Sequence, residues 1–331
     1  MERAIARAAH SRLLAPPNPW VGAVLVTSDG TSYEGSTRRP GANHAEVEVL
    51  TRAGPRSAGA TLYVTLEPCS HQGRTPPCAD AIIEAGVTRV VIGITDPDPK
   101  VAGQGIERLQ GAGLEVMVGP GAAEIETQLA PYLTHRRTGR PFVVLKLAST
   151  LDGRTAAPDQ SSQWITGSEA RLDAHRIRAE SDAILVGAGT VRADDPRLTV
   201  RSITTPDGQP PREPLRVVLG RADPGAAIHP CLALDGDLGL VLDERGERGG
   251  VQLMVEGGPT VAGEFHRSGL VDRYVLYLAP AMMGGDDGVP LLAGSGASTL
   301  ADLVRLRLDQ VVKMGEDLRV DLVATAGTRE R

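Results

Sequence analysis

The chain has 331 residues, with 35 basic and 41 acidic side chains and a formal net charge of −6. This acidic balance argues against nucleic-acid binding, which usually requires a strong basic excess. No apolar run approaches the roughly 18 residues of a membrane span, no signal peptide opens the chain, and three cysteines are too few for a disulfide framework. We therefore expect a cytoplasmic protein, and at roughly 100–200 residues per domain the length predicts two domains.

Helices and strands alternate along the first half of the sequence. Residues 2–14 indicate a short helix, and VGAVLVTSDGTSYEG at 21–35 indicates a hairpin that turns at Ser28, Asp29 and Gly30. The remaining predicted elements are helices in HAEVEVLTRA (44–53), CADAIIEA (78–85) and GIERLQ (105–110), and strands in ATLYVTL (60–66), TRVVIGIT (88–95) and LEVMVG (114–119). Such alternation predicts α/β layers.

A basic stretch marked by glycine and proline, THRRTGRP at 134–141, predicts the boundary between a domain of residues 1–138 and one of residues 139–331. Beyond it the pattern restarts with the strand FVVLKLAS (142–149), the helix SEARLDAHRIRAE (168–180) and the strand DAILVG (182–187). The second half is therefore also predicted to be an α/β domain.

Three residues with metal-binding side chains occur near predicted helix starts. His44 begins one helix, and Cys69 and Cys78 lie at or just before the start of another. A helix N-terminus stabilises a thiolate, and three ligands leave the fourth position of a zinc site for water. Glu46 follows His44 by two residues, which suits a proton shuttle beside that water. The pattern is typical of zinc-dependent base deaminases, although eight residues separate the cysteines here instead of two.

Simpler interpretations of the same residues exist. A His-x-Glu pair is common in any sequence, and two cysteines near proline occur as buried thiols. A structural zinc site is a third alternative, but such a site normally uses four protein ligands and has no need of Glu46. The joint order and placement of the four residues favour catalytic zinc.

Long motifs then show a specific resemblance. The motifs are PNPWVGAVLV (17–26), HAEVEVL (44–50), YVTLEPCSHQGRTPPCADAI (63–82), DPDPKVAGQGIERL (96–109), KLASTLDGRTA (146–156), SQWITGSEAR (162–171), ILVGAGTVRADDPRLTVR (184–201) and LMVEGGPTVAGEF (253–265). Together they resemble the bifunctional riboflavin-biosynthesis deaminase–reductase family. The insert between the two cysteines is typical of that family. The resemblance implies a cytidine-deaminase-like three-layer α/β domain followed by a dihydrofolate-reductase-like α/β domain.

For the first domain, the resemblance implies zinc held by His44, Cys69 and Cys78, with Glu46 as the catalytic proton donor. The implied substrate is 2,5-diamino-6-ribosylamino-4(3H)-pyrimidinone 5′-phosphate, which loses one ring amino group to water. Substrate contacts are expected from Asn18, His71 and Arg74. Asn18 is alternatively a turn residue, and the other two are alternatively solvated loop charges.

For the second domain, the resemblance implies reduction of the ribosyl group to ribityl by NADPH. In LMVEGGPTVAGEF a strand ends near Glu256, two glycines follow, and Pro259 opens a helix whose free N–H groups suit a cofactor phosphate. The expected NADPH contacts are Ala148, Trp164, Thr190, Asp194, Gly258, Pro259, Thr260, Val261, Ala262, Gly263 and Glu264. The expected substrate contacts are Ser162, Arg178, Leu198, Arg201 and Glu256. Core packing is the alternative role for Trp164.

One region departs from the family pattern. Between the predicted strands LRVVLG (215–220) and LMVEGG (253–258), the link at about 221–250 is short and rich in glycine, aspartate and proline. We expect it to lack a strand and a helix, which puts the reductase activity in more doubt than the deaminase activity.

The sequence thus predicts a bifunctional enzyme that acts on a small phosphorylated pyrimidine as a homo-oligomer, without nucleic-acid or membrane partners. Its cofactors are expected to be zinc and NADPH. A deaminase with a degenerate reductase-like domain, a deaminase of nucleosides or nucleic acid, and a zinc-stabilised non-enzymatic module are the alternatives.

Overall fold

The computed structural model describes residues 1–73 and 75–325. The chain divides into two compact units. The first contains Met1–Gly139 together with Thr204–Pro211, and the second contains Arg140–Ile203 and the chain from Arg212 onward. The short segment 204–211 therefore lies with the first unit although it falls far beyond the predicted boundary. No described helix has both the length and the apolar character needed to cross a membrane.

The first unit is built on one five-stranded sheet in the order β2-β1-β3-β4-β5. Its elements are α1 (Glu2–His10), β1 (Gly22–Val26), β2 (Ser32–Ser36), α2 (Ala45–Ala53), β3 (Thr61–Leu66), α3 (Cys78–Glu84), β4 (Arg89–Ile94), α4 (Gln104–Gly111), β5 (Glu115–Val118), α5 (Ala122–Gln128) and α6 (Ala130–Thr138). Strands β1 and β2 form the predicted antiparallel hairpin, and β3, β4 and β5 are parallel. Each predicted strand and helix of this half is present.

The core of this unit consists of aliphatic side chains from the sheet and from the helices packed on it. Leu62, Val64 and Ile92 on the strands contribute to one cluster with Val49 and Ile82 on the helices, and all five are fully buried. Helix α2 ends at Gly54, whose positive φ of 55° is unfavourable for other residues. This packing fixes the N-terminus of α2, where the predicted zinc residues begin.

The second unit contains an eight-stranded sheet in the order β10-β9-β8-β11-β6-β12-β15-β14 and a small sheet of β7 and β13. Its elements are β6 (Phe142–Thr150), β7 (Arg154–Ala156), α7 (Ser168–Glu180), β8 (Ala183–Gly187), α8 (Ala188–Asp194), β9 (Leu215–Leu219), β10 (Leu232–Leu234), α9 (Leu238–Glu247), β11 (Gln252–Val255), α10 (Pro259–Arg267), β12 (Arg273–Ala279), β13 (Val289–Pro290), β14 (Leu306–Met314) and β15 (Asp317–Ala324).

The pairing in the large sheet matches the expected reductase-like architecture. Strands from β10 to β12 are parallel, and the edge formed by β15 and β14 is antiparallel. In parallel α/β sheets, ligands bind beyond the carboxyl ends of the strands. The ends of β6, β8 and β11 are therefore the positions to search for the second site.

The expectation that residues 221–250 lack a strand and a helix is wrong. This segment forms strand β10, which pairs in parallel with β9, and helix α9. Asp237 caps α9 by accepting a hydrogen bond from the Leu240 N–H at 3.2 Å, and Leu238, Val241 and Leu242 are buried. The short link therefore completes the sheet, which removes the specific reason to doubt the reductase half.

Candidate active sites

The first candidate site is a cluster of one imidazole and two thiols. The Nδ1 atom of His44 lies 3.2 Å from Sγ of Cys78 and 3.8 Å from Sγ of Cys69, and all three possible ligand atoms lie within 4.8 Å of one another. Ligands of a tetrahedral zinc ion bound to sulfur and nitrogen are roughly 3.5–3.8 Å apart, given Zn–S near 2.3 Å and Zn–N near 2.0 Å. The three side chains are therefore spaced as zinc ligands.

The local fold explains this convergence. His44 is the N-cap residue of α2, and Cys78 is the first residue of α3. The backbone N–H of Cys78 donates to the Cys69 Sγ at 3.3 Å, while the Ala79 N–H donates to the Cys69 carbonyl at 3.1 Å. The start of α3 thus holds both sulfur atoms in place, and its N–H groups are positioned to stabilise a thiolate.

The electrostatics favour a cation at this cluster. The pKa of Cys69 is lowered to about 4 by hydrogen bonds from the Cys78 thiol, the His44 ring and the Cys78 N–H, although burial acts to raise it. Hydrogen bonding to Cys69 and burial raise the pKa of Cys78, because two adjacent thiolates repel each other. A divalent cation would remove that repulsion, since zinc binds the deprotonated form of cysteine. Glu46 is buried beside the cluster, with 4% of its surface exposed, and burial raises its pKa.

A cavity adjoins the cluster. Of the predicted substrate residues, Asn18 and His71 line it together with His44, Glu46 and Cys69. Arg74 lies outside the described residues. The cavity is also lined by residues to which no role was given from the sequence, namely Glu67, Asp96, Asp98, Tyr132 and Arg136. Both aspartates belong to the motif DPDPKVAGQG, which marked the family without suggesting a role for either.

Glu67 organises the loop that carries this motif. Its carboxylate accepts hydrogen bonds from the backbone N–H groups of Asp96, Gly103, Gly105 and Ile106 at 2.9–3.3 Å. A buried carboxylate is retained when several N–H donors compensate its lost hydration. Glu67, which precedes the Pro68-Cys69 pair, thus joins the loop at 96–105 to the segment that carries the zinc residues.

Replacing Asp96 with asparagine is expected to change the pH dependence of the free energy of unfolding. Burial raises the pKa of Asp96 to about 6, despite hydrogen bonds from the Asp98 N–H and the Tyr132 hydroxyl. In the unfolded chain the pKa is about 3.9. The contribution of Asp96 to stability is therefore fully present below about pH 4 and is lost as the pH rises through about 6.

Relative to the Asp96→Asn variant, the wild type should lose up to about 3 kcal/mol between pH 4 and pH 8. Denaturant unfolding of both proteins across this range measures the difference. A difference that stays constant with pH would contradict the raised pKa.

The second candidate site lies at the carboxyl ends of β6, β8 and β11. Two adjoining cavities there, each about 690 Å³, share a common wall. The shared residues are Lys146, Ala148, Thr155, Ser162, Thr190, Asp194 and Glu256. Two such volumes with one shared wall can hold a dinucleotide and a second molecule in contact with each other.

The first of these cavities contains the start of α10. Gly258 is the N-cap residue and Pro259 the first helical residue, as predicted. The Gly258 N–H donates to Oγ1 of Thr190 at 3.0 Å. The first N–H groups of a helix lack acceptors within the helix and suit a phosphate. The predicted cofactor residues that line this cavity are Ala148, Thr190, Asp194, Gly258, Pro259, Thr260, Val261 and Glu264.

Three predicted cofactor residues are placed differently. Ala262 is fully buried in the core, and a Cβ on Gly263 would lie 2.1 Å from the Ala293 carbonyl oxygen. Helix α10 packs these two residues against the protein, and neither lines the cavity, so their contact with the cofactor stays a prediction. Trp164 lines the second cavity instead of the first, with 67% of its surface exposed and the Arg171 guanidinium 4.6 Å from its ring centroid. This exposure contradicts its alternative role in core packing.

All five predicted substrate residues, Ser162, Arg178, Leu198, Arg201 and Glu256, line the second cavity. Arg178 forms a two-pronged ion pair with Glu256, at 2.5 and 2.9 Å, and also donates to the Thr199 carbonyl. Burial opposes the ionisation of Glu256, but the charges of Arg178 and Lys146 outweigh it and lower its pKa.

Lys146 lines both cavities and was not among the predicted site residues. It lies on β6 between apolar residues, a pattern that fits either a functional lysine or a lysine extending to the surface. Burial lowers its pKa, and Glu256 opposes this shift in part. A half-buried lysine with a lowered pKa in a cavity is a candidate proton donor.

Both sites and both folds place the chain in the class of metal-dependent aminohydrolases that carry a reductase domain. Two family models match the sequence. The cytidine and deoxycytidylate deaminase zinc-binding region matches residues 1–94, and the RibD C-terminal domain matches residues 141–320. The two matches cover most of the chain.

Full-length relatives narrow this class to one family. The chain is 39% identical to the riboflavin biosynthesis protein RibD of Escherichia coli over 98% of both chains, and 45% identical to that of Mycobacterium tuberculosis over 93% of this chain and 91% of the relative. The structure of Acinetobacter baumannii RibD superposes with a TM-score of 0.91 at 36% identity, covering 98% of this chain and 97% of that one. The chain belongs to the RibD family.

A Thermotoga maritima structure is similar over the same shares of the two chains, with a TM-score of 0.86 and 33% identity. That protein is described as a diaminohydroxyphosphoribosylaminopyrimidine deaminase and 5-amino-6-(5-phosphoribosylamino)uracil reductase. The comparison therefore includes a relative whose description names both activities.

Proposed function

We infer that the chain catalyses two consecutive steps of riboflavin biosynthesis. The first is the zinc-dependent hydrolytic deamination of 2,5-diamino-6-ribosylamino-4(3H)-pyrimidinone 5′-phosphate, and the second is the NADPH-dependent reduction of the ribosyl side chain to ribityl. The observation that carries this inference is the presence of both sites, each with its lining residues, in a chain similar to RibD proteins over nearly its whole length. We assign deamination to residues 1–138 and reduction to residues 139–331.

In the deaminase site, His44, Cys69 and Cys78 would hold the zinc. Zinc at such a site supplies Lewis-acid activation of water. The Glu46 carboxyl takes a proton from the attacking water and delivers it to the departing amino group. Its burial keeps bulk water from competing for that proton. Asn18 would orient the pyrimidine edge, and His71 and Arg74 would contact the polar end of the substrate.

In the reductase site, NADPH supplies the hydride, and the start of α10 with Thr190 and Asp194 would bind the cofactor. Arg178 and Glu256 hold each other in one geometry and would orient the sugar together with Ser162. The Lys146 ammonium would donate the proton that accompanies hydride transfer, because burial favours its deprotonation. The oligomeric state and the cytoplasmic location stay predictions.

Removal of the metal tests this assignment. We expect a chelator to abolish ammonia release from the diaminopyrimidinone phosphate and added zinc to restore it, because Glu46 alone cannot activate water sufficiently. Oxidation of NADPH with the already deaminated substrate should continue in the chelated protein. Ammonia release that is unchanged after verified metal removal would contradict the proposed deaminase mechanism.

Replacing Gly258 with valine is expected to weaken NADPH binding by about tenfold or more, which corresponds to about 1.4 kcal/mol. A Cβ at this position would lie 3.3 Å from Oγ1 of Thr190, and the remaining methyl groups would obstruct the approach of a phosphate to the helix start. Titration calorimetry with NADPH measures the change.

Gly225→Val is the matched control, because a Cβ there has no neighbour within 4 Å and Gly225 does not line either cavity. Equal affinities of the two variants would place the cofactor phosphates elsewhere.

A further inference from the structure

Arg136 and Asp98 form a charged pair in the wall of the deaminase cavity. The Nε atom of Arg136 lies 3.1 Å from Oδ2 of Asp98, and the side chains are 29% and 20% exposed. This contact is an ion pair without the alignment of a hydrogen bond, and the Arg136 Nε is buried without an aligned acceptor. The Nη1 atom lies 3.2 Å from Nδ1 of His135, so it is the exposed remainder of the guanidinium that lines the cavity and can contact a ligand.

The surrounding structure fixes the position of this pair. Tyr132 and Arg136 are one turn apart on α6, and the guanidinium lies 5.0 Å from the tyrosine ring centroid. The Tyr132 hydroxyl donates to both carboxylate oxygens of Asp96, at 3.0 and 3.1 Å, and Asp96 accepts from the Asp98 N–H at 2.9 Å. The Lys100 N–H donates to Oδ1 of Asp98 at 3.0 Å, and Oδ2 of Asp98 is the oxygen that pairs with Arg136. Arg136 is thus held from two sides.

The charges that line the cavity favour this arginine as a contact for an anionic ligand. Four carboxylates face it, those of Glu46, Glu67, Asp96 and Asp98. Among the described lining residues, Arg136 is the one arginine or lysine, beside the two histidines His44 and His71. A phosphate ester carries nearly two negative charges at neutral pH and is repelled by carboxylates. A fixed cation offsets this repulsion, and the forked donors of arginine suit phosphate. Arg136 would act together with His71 and Arg74, the predicted contacts of the polar end of the substrate.

We propose that Arg136 is a specificity residue of the deaminase site, which binds the 5′-phosphate of the pyrimidine substrate while it neutralises Asp98. The proposal rests on the proposed deaminase function. In this proposal, a residue of α6, outside the two zinc-binding segments, distinguishes the phosphorylated substrate from its dephosphorylated counterpart.

The test compares deamination of the phosphorylated substrate and of the corresponding dephosphorylated compound by the full-length, zinc-loaded protein. In the Arg136→Ala variant, KM for the phosphorylated substrate should rise about tenfold to hundredfold, the effect of losing one charge-assisted hydrogen bond. For the dephosphorylated compound, KM should stay within about twofold of the wild-type value. Arg137→Ala is the matched control, because Arg137 is the next residue on α6, is 56% exposed and pairs weakly with Glu126 at 4.0 Å.

A second variant separates direct binding from charge neutralisation. If Arg136 contacts the phosphate, adding Asp98→Asn to Arg136→Ala leaves most of the KM defect in place. Full restoration of KM by Asp98→Asn would overturn the proposal, as would an equal effect of Arg136→Ala on both substrates or no effect on either. Zinc content at the wild-type level checks that the deaminase unit of each variant is folded. Absence of any ammonia release by the wild type would instead refute the proposed function, and this inference with it.

Discussion

Replacing Glu46 with glutamine is expected to lower ammonia release by at least about 10²–10⁴-fold, the usual contribution of general acid–base catalysis. Glutamine keeps the size of the side chain and its place beside the metal ligands, but it cannot exchange a proton. The carboxyl is buried at the wall of the cavity, so that solvent does not substitute for it readily. Ammonia release from the diaminopyrimidinone phosphate, measured at saturating zinc, gives the result.

Two controls define this experiment. NADPH oxidation with the deaminated substrate should be unchanged in Glu46→Gln, because Glu46 is not part of the reductase site. Glu48→Gln alters the next carboxylate on the same helix, which pairs with Arg38 outside the deaminase cavity, and should keep nearly full ammonia release. A parallel loss of both activities in Glu46→Gln would show that Glu46 supports folding instead of catalysis.

Replacing Cys69 with serine is expected to remove most of the bound zinc and with it the deamination. The wild type should contain about one zinc per chain. The Cys69 thiol has a pKa lowered to about 4, so it ionises readily at neutral pH, whereas a serine hydroxyl does not. Metal analysis of the purified proteins and ammonia release give two independent readouts.

Cys231→Ser is the matched control for this substitution. Cys231 lies outside the metal cluster, with its Sγ 3.5 Å from Nδ1 of His229. Its replacement should leave zinc content and both activities unchanged. Zinc bound at the wild-type level by Cys69→Ser would mean that other residues hold the metal.

The metal cluster was predictable from the sequence because its residues belong to two short motifs at helix starts. His44 immediately precedes α2, and Cys78 begins α3. Helix N-termini can be recognised from local pattern, and the nature of the three side chains then indicates the metal. The same reasoning located the start of α10 from two glycines followed by a proline.

Contacts between distant segments were not predictable. The pairing of Arg136 with Asp98 depends on how α6 packs against the loop after β4, and no local pattern reports that packing. The same holds for the segment 204–211, where Arg39 forms a two-pronged ion pair with Asp207 at 2.8 and 3.1 Å. Charged residues of this kind have the same appearance in a sequence as ordinary solvated ones.

The error at residues 221–250 has a local physical cause. Strand β10 has only three residues, which is too short for its alternation to be detected. Helix α9 contains Gly239 and Gly246, and glycine lowers helix propensity by about 1 kcal/mol relative to alanine. Burial of its apolar face against the sheet outweighs this cost, and such tertiary packing is not visible in a single sequence.

The most direct test follows ammonia and NADPH together while the purified, zinc-loaded protein acts on the diaminopyrimidinone phosphate. Without NADPH, we expect one ammonia per substrate and accumulation of the deaminated ribosyl compound. With NADPH, one equivalent of NADPH should be oxidised per substrate after the ammonia has appeared. The product should then carry a ribityl chain. Ammonia release without any NADPH oxidation, or oxidation without ammonia release, would contradict the conclusion that this chain carries out both steps.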